Sequence, residues 1–368
     1  MTLSATDWLA SLSPWPADGF GTERMRSLLA ELGNPQLHYP AVHVVGTNGK
    51  STTTRMTEEL LVHAGLNVGA YLSPHVRGWS ERIRIGGGEA DFEAAVARVR
   101  PRAEELAATQ FEILTAAALQ AFADADVDVA VVEAGLGGRH DATNVLSTRV
   151  VVLTNVALDH MDVLGETREE IAAEKLAVVQ PGCTVVLGQP EWEEAAHANG
   201  AAEVIVTGSS NLALAVTAAE AFLGWPVDPH AADDVTLPGR LERRGERPLE
   251  IWDGAHNLAG VGYLLPRLPS RDYVLLCSIL ADKRPELMLE ALSVLGDTLV
   301  ATESTNVRSL PAGELARRAE RYFRHVEPIP DPVEARARAL ALAGPSGALV
   351  VTGSLYLLSE LSGRGYDP

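Results

Sequence analysis

Between an apolar run, AVHVVG (41–46), and an amphipathic one, KSTTTRMTEELLVHAG (50–65), lies the turn GTNGKSTTT, Gly46 to Thr54. A glycine turn that feeds a helix N-terminus is where backbone N–H groups converge on phosphate oxygens. Thr47, Asn48, Gly49, Lys50, Ser51 and Thr52 thus form an ATP-binding set, in which Lys50 neutralises the terminal phosphates and Ser51 or Thr52 ligates Mg2+. The turn is shorter than the common phosphate loop, because Val44 stands where the first glycine would fall. A plain glycine turn with a surface lysine is the competing reading. It leaves unexplained why strand, turn, Lys-Ser-Thr and helix all agree.

Three further clusters fall just past apolar runs, at the edge where open parallel sheets bind ligands. Glu133 closes VDVAVVE and offers a carboxylate to Mg2+; alone it equally suits a solvated strand end. The segment AGLGGRHDATN (134–144) that follows packs glycines with Arg139, Asp141 and Asn144, the composition of backbone approaching a ligand. VVVLTN (150–155) leads to Asp159 and His160, and Lys175 follows Ile171 by four residues, on the inward side of the next helix. An inward ammonium beside Mg2+ has the wrong charge, whereas a lysine that has taken up CO2 becomes a carboxylate ligand. A surface lysine paired with Asp159 or Glu174 stays open as the ordinary alternative. In the second half, Arg240 of PGR and Asp253 and His256 of WDGAHN flank a strand, placed to clasp the ribose and phosphates of a nucleotide across an interdomain cleft.

Apolar strand-like runs alternate with helical ones from Ala41 onward, the βαβ signature. Strands are expected at 41–46, 67–71, 127–135 and 150–155, with a loop and hairpin over 73–88. Capping boxes at Thr109/Glu112 and Thr167/Glu170 open two helices, the second running to about Gln180. On the helix 50–65, Met56, Leu60, Leu61 and Ala64 make the inward face. The aperiodic, proline-rich stretch after the helix 211–224 holds the linker, so the expected domains are 1–232 and 241–368, joined by 233–240. Beyond it PLEIWD, YVLLCSIL, DTLVAT and GALVVTG restart the alternation. The fold class is α/β: an N-terminal P-loop-type, mostly parallel sheet domain and a smaller C-terminal Rossmann-like α/β domain.

A length of 368 residues, 46% of them hydrophobic and 21% charged, suits two cores rather than one. With 30 Lys and Arg against 49 Asp and Glu, the net charge of −19 argues against a broad nucleic-acid surface. Met1 to Gly19 has neither a basic start nor an apolar run, so no secretory signal or membrane anchor is expected there. A cytoplasmic monomer acting on small molecules, without a nucleic-acid or membrane partner, is the expectation. Cys183 and Cys277 lie far apart in apolar runs and fit buried hydrophobes.

These motifs together resemble the folylpolyglutamate synthase and dihydrofolate synthase family, within the Mur ligase superfamily of ATP-dependent amide-forming enzymes. The resemblance spans nearly the whole chain, through HVVGTNGKST, YLSPHVRGWSERIRI, FEILTAAAL, VDVAVVEAGLGGRHDATN, LDHMDVLGETREEIAAEK, LPGRLE, WDGAHN, ADK and VTGSLYLLSEL. It departs in lacking the glycine after Lys50, in DHM for DHT, in EKLAVVQ for EKAGIIK, and in RHDATN for RLDATN. Peptidoglycan Mur ligases carry a UDP-sugar domain ahead of the phosphate loop. The 45 residues before Gly46 are too few for one, which favours a folate ligase.

The resemblance implies a first domain that holds ATP and two Mg2+ ions and a second that closes over the nucleotide and carries the glutamate site. It makes Lys50, His160 and Lys175 catalytic, with Lys175 carbamylated, and gives Ser51, Ser73, Glu133, His160 and Lys175 as the metal set. A mobile loop at Ser73, Pro74 and His75 would lie near the folate, with Arg82 in the same substrate set. Phe111 would stack on the pterin, with helix-face packing as its competing reading, and Asp141 would accept the pterin's N–H donors. The implied reaction joins L-glutamate to dihydropteroate, to the glutamate tail of reduced folates, or to both, through an acyl phosphate. Its rivals are another Mur-type ligase acting on a different acid and a P-loop kinase or ATPase.

Overall fold

The computed structural model describes residues 3–13, 16 and 19–363, so part of Met1 to Gly19, Pro14 included, lies outside the described residues. The chain divides into two compact units: residues up to 75 with 79–235, and Val76–Gly78 with the residues from Thr236 onward. The division after Val235 falls within the stretch 233–240. Val76–Gly78, assigned by sequence to the first domain, belongs instead with the second unit. Val76 is buried in an apolar cluster with Trp252, Leu276, Leu349 and Leu358, and Arg77 pairs with Glu242 at 2.8 Å.

The first unit is built on β1 (Ala41–Val45), β2 (Val68–Tyr71), β3 (Ile83–Ile85), β4 (Gly88–Glu89), β5 (Val129–Glu133), β6 (Thr148–Leu153), β7 (Thr184–Leu187) and β8 (Glu203–Val206). Their order is β4-β3-β2-β5-β1-β6-β7-β8, parallel except at β2–β3 and β3–β4. Helices cover both faces, which is why β1 and β5 are buried at every position and rich in valine. The order decides the site. Because β1 lies between β5 and β6, with Val44 beside Glu133 and Val45 beside Leu153, the turns after all three strands emerge together at one edge.

The capping boxes form as expected at Thr109/Glu112 and Thr167/Glu170. The second helix, however, stops at Leu176 instead of reaching Gln180. Gln180 clamps the entry to β6, accepting from Thr148 N at 3.2 Å and donating to Leu146 O at 2.7 Å. On the helix Lys50–His63, Met56 is only half-buried and Ala64, just past the helix end, is exposed. Its inward face is Ser51, Thr53, Thr54, Thr57, Glu58, Leu60 and Leu61, with Glu58 held by Arg55 and by Arg84 at 3.1 Å. The helix Phe92–Glu105 has no counterpart in the sequence reading, since Pro101 inside it reads as a breaker.

The second unit contains β9 (Glu242–Glu246), β10 (Leu249–Trp252), β11 (Val274–Cys277), β12 (Thr298–Ala301), β13 (His325–Pro328) and β14 (Ala348–Thr352). They run β13-β12-β11-β14-β10-β9, parallel except for the β9–β10 hairpin. Cys183 and Cys277 are free and buried. Among the described residues no helix is long and apolar enough to cross a membrane.

Candidate functional site

β1 ends at Val45, and Gly46 turns the chain at φ +148°, where a Cβ would lie 1.9 Å from Thr154 Oγ1. No side chain fits there. The end of β6 then holds the turn. Thr47 N donates to Asn155 O at 2.9 Å and Asn48 N to Asn155 Oδ1 at 3.1 Å, while Thr154 Oγ1 and Asn155 Nδ2 both donate to Asn48 O. The Thr47 hydroxyl bridges to Ala157, accepting from its N at 3.1 Å. Gly49, at φ +83°, is the N-cap of the helix Lys50–His63 and gives it no side-chain cap. The first-turn N–H groups, those of Ser51 and Thr52 among them, therefore face outward without a capping side chain, the arrangement that takes up an anion. Lys50 curls over the turn, its Nζ 3.5 Å from Thr47 O.

Glu133, at 1% exposure, joins a helix start to a loop: Ser51 Oγ donates to its Oε1 at 3.0 Å and Ser73 N to its Oε2 at 2.8 Å. Three members of the expected metal set thus meet at one buried carboxylate. No group of three or more His, Cys, Asp and Glu side chains suited to a metal occurs among the described residues.

Lys175 is 3% exposed, and its Nζ donates to Gly46 O at 3.0 Å. The surface-ion-pair alternative is therefore a poor description of it, and Glu174 pairs with Arg139 at 3.3 Å instead. Burial, reinforced by the Lys50 charge, lowers the Lys175 pKa to about 7, against the opposing pull of Asp159, Asp141 and Glu174. His160 occupies the left-handed region at φ +49°. Its backbone N donates to Asp159 Oδ1 at 3.0 Å, and its ring Nε2 lies 3.9 Å from the same oxygen.

In the substrate set, Ser73 and Pro74 are half-buried, and His75 is buried beside Trp79 with ring centroids 4.5 Å apart. Arg82 Nε donates to His75 Nδ1 at 2.9 Å, so the imidazole proton sits on Nε2, and the guanidinium lies 4.9 Å over the Trp79 ring. Burial and the Arg82 charge hold the His75 pKa well below its usual value. Phe111 is half-buried against the loop, where a Cβ on Gly135 would lie 2.5 Å from its Cζ, and its ring is 6.2 Å from that of Tyr71. Asp141 Oδ2 accepts from Leu136 N at 2.7 Å and its Oδ1 from Thr143 N at 2.9 Å and Thr143 Oγ1 at 2.5 Å, so the carboxylate also braces its own loop.

In the second unit, Asp253 is buried, which raises its pKa against the pull of Arg240. Its two oxygens accept from Leu241 N and Ala255 N at 2.9 Å each. Arg240 Nη1 reaches Gly239 O at 3.3 Å, and His256 Nδ1 lies 2.9 Å from Gly254 O. Sequence reasoning passed over Thr154, Asn155 and Asn211. Asn211 Oδ1 stands 2.5 Å from where a Gly49 Cβ would be. The clue to Thr154 and Asn155 was available, since polar residues ending an apolar strand next to the phosphate-loop strand must face that loop.

The model of the Mur ligase middle domain matches residues 44–222, and that of the Mur ligase glutamate ligase domain residues 239–355. The dihydrofolate synthase/folylpolyglutamate synthase of Mycobacterium tuberculosis is 32% identical, over 90% of this chain and 87% of that protein. Among solved structures, Escherichia coli FolC in complex with DHPP and ADP matches with a TM-score of 0.88 at 28% identity, covering 98% of this chain and 97% of that one. The bifunctional folylpolyglutamate synthase/dihydrofolate synthase of Yersinia pestis, complexed with AMPPNP and a Mn ion, gives 0.84 at 29% identity over 99% of each chain.

Proposed function

Because the chain belongs to the dihydrofolate synthase/folylpolyglutamate synthase family of ATP-dependent Mur-type ligases, we propose that it joins L-glutamate to dihydropteroate and to the glutamate tail of reduced folates. The observation that carries this reading is the meeting of Ser51, Glu133 and Ser73 beside a helix N-terminus that has no side-chain cap.

A carboxylate does not condense with an amine in water, because hydroxide is a poor leaving group. In the proposed reaction a carboxylate oxygen of the folate acid attacks the γ-phosphorus of ATP, and ADP departs. The glutamate amine then attacks the acyl carbon, and phosphate leaves with that oxygen. Thr47 to Thr52 cradle the phosphates, and Lys50 stabilises charge on the transferring group. Ser51 and Glu133 would hold Mg2+, with Ser73, His160 and Lys175 contributing to its surroundings. The bound ion would supply electrostatic stabilisation of phosphoryl charge. Lys175 serves as a carbamate: burial lowers its pKa to about 7, which makes available near neutral pH the amine form that takes up CO2. Ser73, Pro74, His75, Arg82 and Phe111 contribute to the folate site. Arg240, Asp253 and His256 serve the nucleotide from the second unit. The enzyme acts as a cytoplasmic monomer on small molecules.

The test is ADP release and amide formation with dihydropteroate and tetrahydrofolate assayed side by side, with and without L-glutamate. Stoichiometric ADP and glutamyl product are expected with both acids. ADP released without any amide, or phosphate transferred to another acceptor, would replace the ligase reading with an ATPase or kinase.

A further inference from the structure

His43 lies in the middle of β1, three residues before Gly46, at 1% exposure. Neither phosphate binding nor metal binding uses it. Its Nε2 is 2.8 Å from Thr143 Oγ1. That hydroxyl gives its single proton to Asp141 Oδ1, so toward His43 it can only accept, and the imidazole must carry its proton on Nε2. Burial keeps the ring neutral, with a pKa lowered to about 3. A directed chain results, from His43 through Thr143 to the Asp141 carboxylate, whose other oxygen holds Leu136 N at 2.7 Å.

The loop that this chain grips touches the catalytic elements on both sides. It leaves β5 directly after Glu133. At Gly138 a Cβ would lie 2.7 Å from both Glu174 O and Lys175 O, so loop and helix backbones are in direct contact, and Arg139 N donates to Glu174 O at 3.0 Å. Lys175 in turn reaches back to Gly46 O at 3.0 Å. The path closes on itself: from β1 through His43, Thr143 and Asp141 to the loop, across to the helix of Lys175, and back to the end of β1.

We propose that His43 is a positioning residue for ligation, a fixed Nε2–H donor that sets the loop 134–144, and through it Glu133 and Lys175, against the phosphate turn. The inference rests on the ligase reading above. Placement errors of this kind act on the chemical step; a shift of about 1 Å transmitted from a distant residue can cost on the order of 100-fold in rate.

The test compares Thr143→Val with Thr143→Ser, and His43→Asn with His43→Gln, in the full-length enzyme well below its melting temperature. Valine keeps the shape and removes the hydroxyl. Glutamine can place an N–H where Nε2 stands, and asparagine is too short to do so. Thr143→Val and His43→Asn are expected to lower kcat at least about tenfold with KM for ATP within about twofold, and to need more Mg2+ for half-saturation. Thr143→Ser and His43→Gln should recover most of the rate. The second readout is the rise in melting temperature on adding Mg2+ and AMPPNP, which should shrink in the defective pair and return in the conservative one. A fall in melting temperature with unchanged kcat would reduce the relay to a core hydrogen bond. A raised KM for ATP at unchanged kcat would also overturn the proposal, since the defect would then lie in nucleotide binding. If Thr143→Val does not fold, the His43 pair decides by the same criteria. Failure of the wild type to form amide would sink the ligase reading itself; an active wild type with unaffected variants sinks this inference alone.

Discussion

Each unit carries a parallel sheet in which a strand leads into a helix at the carboxyl edge, and the two turns are finished in opposite ways. After β1, Gly46 and Gly49 supply backbone with no side chain, and the helix Lys50–His63 begins without a side-chain cap. After β10, side chains fill the same kind of space: Asp253 accepts from Leu241 N and Ala255 N, and Asn257 caps the helix Leu258–Leu264 through Gly260 N. A helix start with uncommitted donors and a lysine beside it is a receptor for an anion. One whose donors are already taken is a rigid mount, holding Arg240 and His256 in place.

The sharpest break in this contrast is Lys50→Ala. Removing the cation that curls over the open turn should raise the ligation barrier by about 3 kcal/mol or more, while circular dichroism and melting temperature stay near wild type. Near wild-type turnover under saturating ATP would mean that the turn after β1 is not the catalytic phosphate site.

Lys175 tests whether a second buried amine at that edge is a cation or a modified ligand. Lys175→Ala should be nearly inactive and partly restored by formate or acetate, and Lys175→Arg should stay inactive, since arginine keeps its charge and forms no carbamate. An Arg variant as active as wild type would end the carbamate reading. The pH dependence has a definite sign. The folded amine loses its proton at pH about 7, whereas an unfolded one keeps it to about 10.5, so the buried charge costs stability below pH 7 and the cost fades as pH rises through that window. Lys175→Met should therefore be stabilised relative to wild type more at pH 6 than at pH 9, as urea titrations at the two values would reveal. For the same reason activity should decline as pH falls below 7 and protonation withdraws the amine from CO2.

Glycine substitutions compare the phosphate turn with the helix that follows β10. At Gly49, with φ +83° and Asn211 Oδ1 2.5 Å from the added methyl, alanine should cost about 1–2 kcal/mol and weaken ATP binding by calorimetry. Gly262, in the helix of the second unit, has nothing within 4 Å of such a methyl, and Gly262→Ala should leave stability unchanged or raise it by up to about 1 kcal/mol. Equal effects at both sites would mean that the phosphate turn constrains its backbone no more than an ordinary helix does. The smallest expected change is at the self-capped turn: Asn257→Ala should lose about 1 kcal/mol of stability, read by denaturant melts, with the affinity of the first unit's site for phosphate groups unaltered.

The phosphate turn was legible in the sequence because its parts are contiguous. Glycines, lysine and hydroxyls from Gly46 to Thr54 need only a strand before them and a helix after, and both announce themselves by periodicity. Both capping boxes and most strands of the two sheets were equally local. Pro101 hid one helix, and short edge strands such as β8 and β13 were too weakly patterned to stand out.

Direct contacts across the chain and burial were decided by the tertiary structure. Ser51 and Glu133 are 82 residues apart, and Lys175 and Gly46 are 129 apart; the motifs put them at one sheet edge, but only the fold joins Ser51 Oγ to Glu133 and Lys175 Nζ to Gly46 O. Composition marked Asp141 as polar in a glycine-rich loop, and only the fold shows its oxygens bracing Leu136 N and Thr143. Val76–Gly78 left the first unit because the apolar cluster around Trp252 could bury Val76. The protonation of Lys175 is the clearest case. Residue type makes it a cation, and only the removal of water around it, with the Lys50 charge nearby, brings its pKa down to about 7. Residue types and short spacings carry the chemistry that neighbours along the chain can perform, whereas desolvation and long-range pairing belong to positions in space, which exist only once the strands are ordered side by side.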